Sequence, residues 1–165
     1  MKVLVAYGSK YGGTAGIAET VAEQMRQDGL EVDVRPASRS LKPDPYDAVV
    51  VGGALYRNRW HRAASMYVRR NRKALRDRPT YLFSSGPLAD AFSGHNPPPV
   101  PEVRLLASRV DAREHITFNG CLPAKTRRFM DRAVASTLAG DYRDRDEERA
   151  WAHHVADEVK TAATA

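Results

Sequence analysis

The residue types best placed to do chemistry stand together at Gly8-Ser9-Lys10-Tyr11-Gly12-Gly13-Thr14. Successive backbone N–H groups in a glycine-containing turn that opens a helix point the same way. Together with the Ser9 and Thr14 hydroxyls they can cradle an anion at the positive end of that helix. Lys10 adds a charge that would draw a phosphate in. A purely structural glycine turn is the competing reading, and the position directly after the first apolar run favours the anion site. The chain has no G-x-x-x-x-G-K-[ST], which excludes a nucleotide-hydrolysing P-loop. It also lacks G-x-G-x-x-G, since Gly8 and Gly12 stand four apart. No acid closes the second strand where a ribose hydroxyl would need one, so a monophosphate end suits the loop better than a pyrophosphate.

Other candidate groups carry less. Tyr56 and Trp60, in the expected loop Ala54–Trp60, offer aromatic faces that suit a planar heterocycle, with rim packing as the alternative. His61 stands at a helix start, where it either shuttles a proton near neutral pH or faces solvent. His115 is expected at a strand end, and His95, His153 and His154 receive no role. Cys121 follows the last strand, and a lone cysteine is more often inert filler than a reactive thiol. No spacing of His, Cys or carboxylates suggests a metal site.

These groups need a scaffold, and the apolar pattern supplies one. Short β-branched runs at Lys2–Tyr7, Asp47–Gly52 and Thr80–Ser84 read as strands buried on both faces, Leu30–Arg35 as an edge strand and Glu114–Gly120 as the last strand. Helical spacing marks Gly12–Asp28, Arg62–Leu75, Glu102–Val110, Lys125–Leu138 and Asp146–Thr161. On the second helix Ala63, Met66 and Tyr67 are expected on one side. Ser38–Tyr46 carries Pro43 and Pro45 and is a loop. Five strands alternating with helices imply crossovers and a mainly parallel sheet. Ligands bind such sheets at the carboxyl ends of the strands, which here end in glycine-containing turns.

Length and composition agree with a single unit over 1–165: 165 residues, 42% apolar and 28% charged. One cysteine excludes an intrachain disulfide framework and fits a reducing compartment. No run approaches the ~20 apolar residues of a membrane span, so a cytoplasmic location is expected. The net charge of +6 favours anionic partners. Nine of its basic residues lie between Arg57 and Arg78, with Asp77 the only acid among them. That segment is either a solvated helix face or a surface for something acidic. Nucleic acid is an unlikely partner, because no aromatic stacking platform interleaves the arginines.

The loop and the strand pattern resemble the flavodoxin family, whose [ST]-x-[ST]-G-x-[ST] turn is matched by Ser9, Gly12 and Thr14; Tyr11 stands where a small hydroxyl residue is usual. The resemblance implies a flavodoxin-like three-layer sandwich with a five-stranded parallel sheet in the order 2-1-3-4-5. It implies FMN as cofactor, though the sequence leaves a deazaflavin open. Ser9, Lys10, Tyr11, Gly12, Gly13 and Thr14 would then hold the phosphate. Ala54, Leu55, Tyr56 and Arg57 would approach the flavin ring, and Ser85, Gly86, Pro87 and Leu88 would cover its other edge.

Within the family, Tyr46, Asp47, Gly53, Ala54, Tyr56, Arg57 and His61 are similar to the menaquinone-dependent protoporphyrinogen dehydrogenase branch. That branch implies an oxidoreductase with a reduced organic substrate and a quinone acceptor, and a basic insert at about 121–149 between the last strand and last helix. Phe129, Met130, Ala133, Val134 and Leu138 would form the apolar stripe of its helix, with Lys125, Arg127 and Arg128 crowding the first turn. Such a helix either docks on the sheet with an exposed basic edge or makes peripheral contact with an anionic membrane surface at the inner face. The alternatives are a small electron-transfer flavodoxin, which the positive charge disfavours, and a flavodoxin-fold binding module without catalysis.

Overall fold

A computed structural model of the chain describes residues 1–86, 97–122, 140–141 and 143–164. The first apolar run forms strand β1, Lys2–Gly8. Alternation sends Val3 and Val5 into one core and Leu4 and Ala6 into another, which is why the run is apolar without a break. Helix α1, Gly13–Gln27, follows and buries Ile17, Ala18, Val21, Ala22 and Met25. It stops where Gly29 takes φ +91°, a left-handed conformation that costs an L side chain about 1–2 kcal/mol. Strand β2 is Glu31–Pro36 and strand β3 is Ala48–Tyr56. After β3 come the short strand β4, Arg59–Trp60, and helices α2, Arg62–Arg70, and α3, Arg72–Arg76. Strand β5, Thr80–Gly86, helix α4, Pro101–Arg109, and strand β6, Glu114–Asn119, continue the alternation. Strands β7, Cys121–Leu122, and β8, Gly140–Asp141, precede helix α5, Arg145–Thr164.

The main strands are parallel and lie in the order β2-β1-β3-β5-β6, which is the expected 2-1-3-4-5. Helices α1 and α5 cover one face, and α2, α3 and α4 the other. The fold is flavodoxin-like. Three details differ from the sequence reading. Strand β3 runs four residues beyond Gly52, so Ala54–Trp60 is a hairpin and not a loop: β4 pairs antiparallel with β3 through Leu55↔Trp60 and Tyr56↔Arg59. The expected helix Arg62–Leu75 is interrupted at Asn71, whose amide donates to the Tyr67 carbonyl at 3.0 Å. Its buried side is Ala64, Tyr67, Val68 and Leu75, while Ala63 and Met66 are half-buried. Strands β7 and β8 form a separate antiparallel pair, which no period in so short a stretch could signal. The expected helix Lys125–Leu138 lies outside the described residues.

Two glycines let the central strand carry large neighbours on both faces. A Cβ at Gly52 would overlap the Phe83 ring, and one at Gly53 would lie 2.5 Å from Trp60 Cε2. Phe83 in turn meets Phe118 and Trp151 at centroid distances of 5.8 and 6.2 Å, which docks α5 on the sheet. Overpacking of this kind costs about 1–3 kcal/mol. Gly53→Ala is therefore expected to lower the unfolding free energy by that amount, read as a drop in the urea midpoint at an unchanged m-value, because the Trp60 indole is held in place by its hydrogen bond to Ser84. An unchanged midpoint would show that the indole can shift freely.

Candidate functional site

The carboxyl ends of β1, β3, β5 and β6 form one edge, and a registered row of Gly8, Gly53, Ser84 and Thr117 crosses it. Side chains along this row are small or absent, so neighbouring backbones approach closely. A Cβ at Gly8 would stand 2.9 Å from both the Ala64 N and His61 Nδ1. The start of α2 thus reaches the end of β1, where α1 also begins.

The 8–14 loop closes on itself. Gly12, at φ +85°, donates its N–H to Ser9 Oγ at 3.0 Å, and this leaves the Ser9 hydroxyl proton available to a ligand. Gly12 is the N-cap of α1 and supplies no side-chain cap, and the first turn carries no acid. The amide donors that open α1 therefore meet neither an N-cap side chain nor an acid of their own first turn. Gly13 and Thr14 are buried. Tyr11 is the departure from a small hydroxyl residue, and its phenol oxygen is buried with no hydrogen-bond partner among the described residues. A buried hydroxyl without a partner is costly, so this one suits an incoming acceptor.

Lys10 does not sit over the α1 amides. Its ammonium stands 5.0 Å from the Tyr11 ring centroid and 4.9 Å from that of Tyr56. The Arg57 guanidinium lies 5.5 Å from the same Tyr56 ring. The loop and the β3–β4 hairpin are thereby brought together through their aromatic and basic residues. The hairpin turn is made by Arg57 and Asn58, at φ 50° and 58°. Both residues are left-handed, as a two-residue hairpin turn demands, and asparagine tolerates this better than most. Ala54 accepts the His61 N–H at 2.7 Å, which fixes the hairpin to the start of α2.

On the β5 side, Ser85 and Gly86 belong to the strand and not to a turn. A Cβ at Gly86 would stand 3.4 Å from Leu55 Cβ, so this strand end and the hairpin touch. Pro87 and Leu88 lie outside the described residues. Beneath the edge, Ser84 Oγ accepts the Trp60 indole N–H at 3.1 Å and lies 2.8 Å from His115 Nε2. Burial holds the His115 pKa down at about 4. His61 does not face solvent: it is half-buried, and its Nδ1 accepts the Ala63 N–H at 3.2 Å as the cap of α2. Burial, then the Lys10 charge, lower its pKa.

Outside this edge, the basic segment divides. Arg69 pairs with Glu102 at 3.0 Å and Arg76 with Asp111 at 2.8 Å. Arg78 turns inward and donates to the carbonyls of Pro43 and Tyr46, so it fastens the 38–46 loop. Arg62, Arg70, Arg72 and Lys73 are exposed. Helices α2, α3 and α4 together carry eight Arg or Lys and one acid, whereas α1 and α5 carry four and seven. The two helical layers are oppositely charged. His154 and Glu158, one turn apart on α5, meet Glu114 of β6, with ligand-type atoms within 4.8 Å of one another. The second Glu114 oxygen takes the Trp151 indole N–H at 2.7 Å, so the group ties α5 to β6. The sequence reading missed it because Glu114 and His154 are 40 residues apart.

This architecture has relatives. The chain belongs to the flavodoxin domain family, whose family model matches residues 4–146. It is 28% identical over 86 residues to "Protoporphyrinogen IX dehydrogenase [quinone]" of Escherichia coli K12; the match covers 51% of this chain and 48% of that protein. The chain thus spans about half the length of the curated relatives it matches. Among solved structures it resembles the rubredoxin oxygen:oxidoreductase of Desulfovibrio gigas, with a TM-score of 0.67 and 14% identity over 99% of this chain and 37% of that one. It also resembles flavodoxin 1 of Bacillus cereus, with a TM-score of 0.59 and 14% identity over 98% of each chain. No helix among the described residues is long and apolar enough to cross a membrane.

Proposed function

We propose that this chain binds FMN at the β1–α1 loop and the β3–β4 hairpin and works as an oxidoreductase. The observation that carries the reading is the loop itself: a left-handed Gly12, a first turn of α1 with neither a capping side chain nor an acid, and a buried Tyr11 phenol oxygen with no partner among the described residues. These features fit a phosphate, and Tyr56 beside them fits the edge of a planar ring. Ser9, Gly12, Gly13 and Thr14 would hold the phosphate, with Tyr11 donating its phenol proton. Ala54, Leu55, Tyr56 and Arg57 would flank the ring on one side and Ser85, Gly86, Pro87 and Leu88 on the other. Bound flavin supplies the redox chemistry, and the chain's residues position it and set its access.

The similarity to the Escherichia coli dehydrogenase supports a finer version, in which electrons pass from a porphyrinogen-like reduced substrate to a quinone. The exposed cations of α2 and α3 suit an anionic membrane surface, where a quinone is met. In this version the 121–149 stretch is an insert in a single 1–165 domain. The positive net charge disfavours the small-carrier alternative, since carriers that dock on basic partners are acidic overall.

The test is an absorption spectrum of the purified protein after addition of FMN and desalting. Retained flavin bands at one equivalent support the reading, and anaerobic assays with reduced porphyrinogens and quinone acceptors then decide the substrate. A protein that retains no FMN overturns it.

A further inference from the structure

The phosphate loop contains a lysine whose charge is engaged elsewhere, over the rings of Tyr11 and Tyr56. A second cation approaches the same loop from the far end of the chain. Gly16 is the fourth residue of α1, and a Cβ built on it would overlap Arg143 Nη1, with Arg143 Cζ 3.5 Å away. The guanidinium thus occupies the space of the missing Gly16 side chain. In a helix that space lies towards the N-terminus, over the preceding turn. For Gly16 the preceding turn is Gly12–Gly13, the phosphate cradle.

The opening turn of a helix disfavours cations and favours anions, and the first turn of α1 itself carries no acid. One turn further along, Arg145 Nη1 donates to Thr20 Oγ1 at 2.7 Å, so the segment is already fastened to α1 by another residue. A half-buried guanidinium held against the first turn of α1 is a good arrangement for a helix whose N-terminus receives a dianion. We infer that Arg143, seated in the gap left by Gly16, is the residue that neutralises the cofactor phosphate and makes the site select FMN over riboflavin. This rests on the flavin reading above, and it assigns to the segment before α5 a direct part in cofactor choice.

The experiment is a comparison of FMN and riboflavin affinities by flavin fluorescence, at low and high salt, for the wild type, Arg143→Ala, Arg143→Lys and Gly16→Ala. Arg143→Ala is expected to weaken FMN by about ten- to a hundredfold, the range for a hydrogen bond to a charged group, and to leave riboflavin unchanged. Arg143→Lys should recover part of the loss. Gly16→Ala, which expels the guanidinium but keeps it in the chain, should behave like Arg143→Ala, with the urea midpoint of each variant reporting on folding. Equal losses for FMN and riboflavin, or no loss of FMN at all, would overturn the inference. A wild type that binds neither flavin would instead overturn the cofactor reading.

Discussion

Gly12→Asp is expected to lower the affinity for FMN by a factor on the order of 10²–10³ while the fold survives. The residue is left-handed at φ +85°, and nothing lies within 4 Å of where its Cβ would stand. Aspartate tolerates that conformation better than most residues, and its side chain would project into open space at the mouth of the loop. Its carboxylate would then face the phosphate directly. Two unit charges 4 Å apart repel by about 1 kcal/mol in bulk water and about 4 kcal/mol at an effective dielectric of 20, and a phosphate carries close to two charges. Gly12→Asn has the same shape and backbone preference without the charge, so it should keep most of the affinity. The measurement is the dissociation constant for FMN of both variants, with far-ultraviolet circular dichroism as the control for folding. Equal losses for Asp and Asn would assign the effect to the backbone, and full retention by Asp would remove the phosphate from this loop.

The difference between those two glycine variants shows how far residue type alone could go. The 8–14 loop was legible because its constraint is local: a glycine between a buried strand and an amphipathic helix places amides at a helix start whatever the rest of the chain does. The strand order was legible for a similar reason, since continuous apolar runs such as Lys2–Tyr7 must be covered on both faces. The hairpin at Ala54–Trp60 was not, because its turn is made by Arg57 and Asn58 instead of the glycine pair that would announce one. Only Trp60, buried over Gly53 and tied to Ser84, explains why the chain turns back there. Arg143 was invisible for a different reason. Its meaning depends on a missing side chain at Gly16, 127 positions away in sequence. Charge shows the same division: the excess between Arg57 and Arg78 is plain in the sequence, but the opposed acidic layer of α1 and α5 emerges only when the helices are assigned to faces.

Acid should destabilise the protein between about pH 6.5 and 4, and His115 is the main cause, opposed in part by Glu147, which burial and then Asp144 raise above its ordinary 4.5. Its imidazole is half-buried against Ser84 within β6, and that burial lowers its pKa from 6.5 to about 4. The folded state therefore binds this proton less readily than the unfolded chain. Stability from this source is complete above about pH 6.5. It falls progressively as the pH drops toward 4, with a limiting slope of about 1.4 kcal/mol per pH unit and a total of about 3 kcal/mol. His61, also lowered, adds to the loss in the same direction. The paired carboxylates act elsewhere. The Tyr46 hydroxyl, then Lys2, hold Asp33 below its ordinary 3.8, and Lys160 does the same for Asp157, so their contributions disappear only in more acidic solution. Urea unfolding between pH 4 and 7.5 is expected to show the midpoint dropping through this window. His115→Gln, which can still hydrogen-bond Ser84 but cannot titrate, should flatten most of the decline. If that variant kept the full slope between pH 6.5 and 4, the proton uptake would belong to another group and the Trp60–Ser84–His115 chain would not be pH-sensitive.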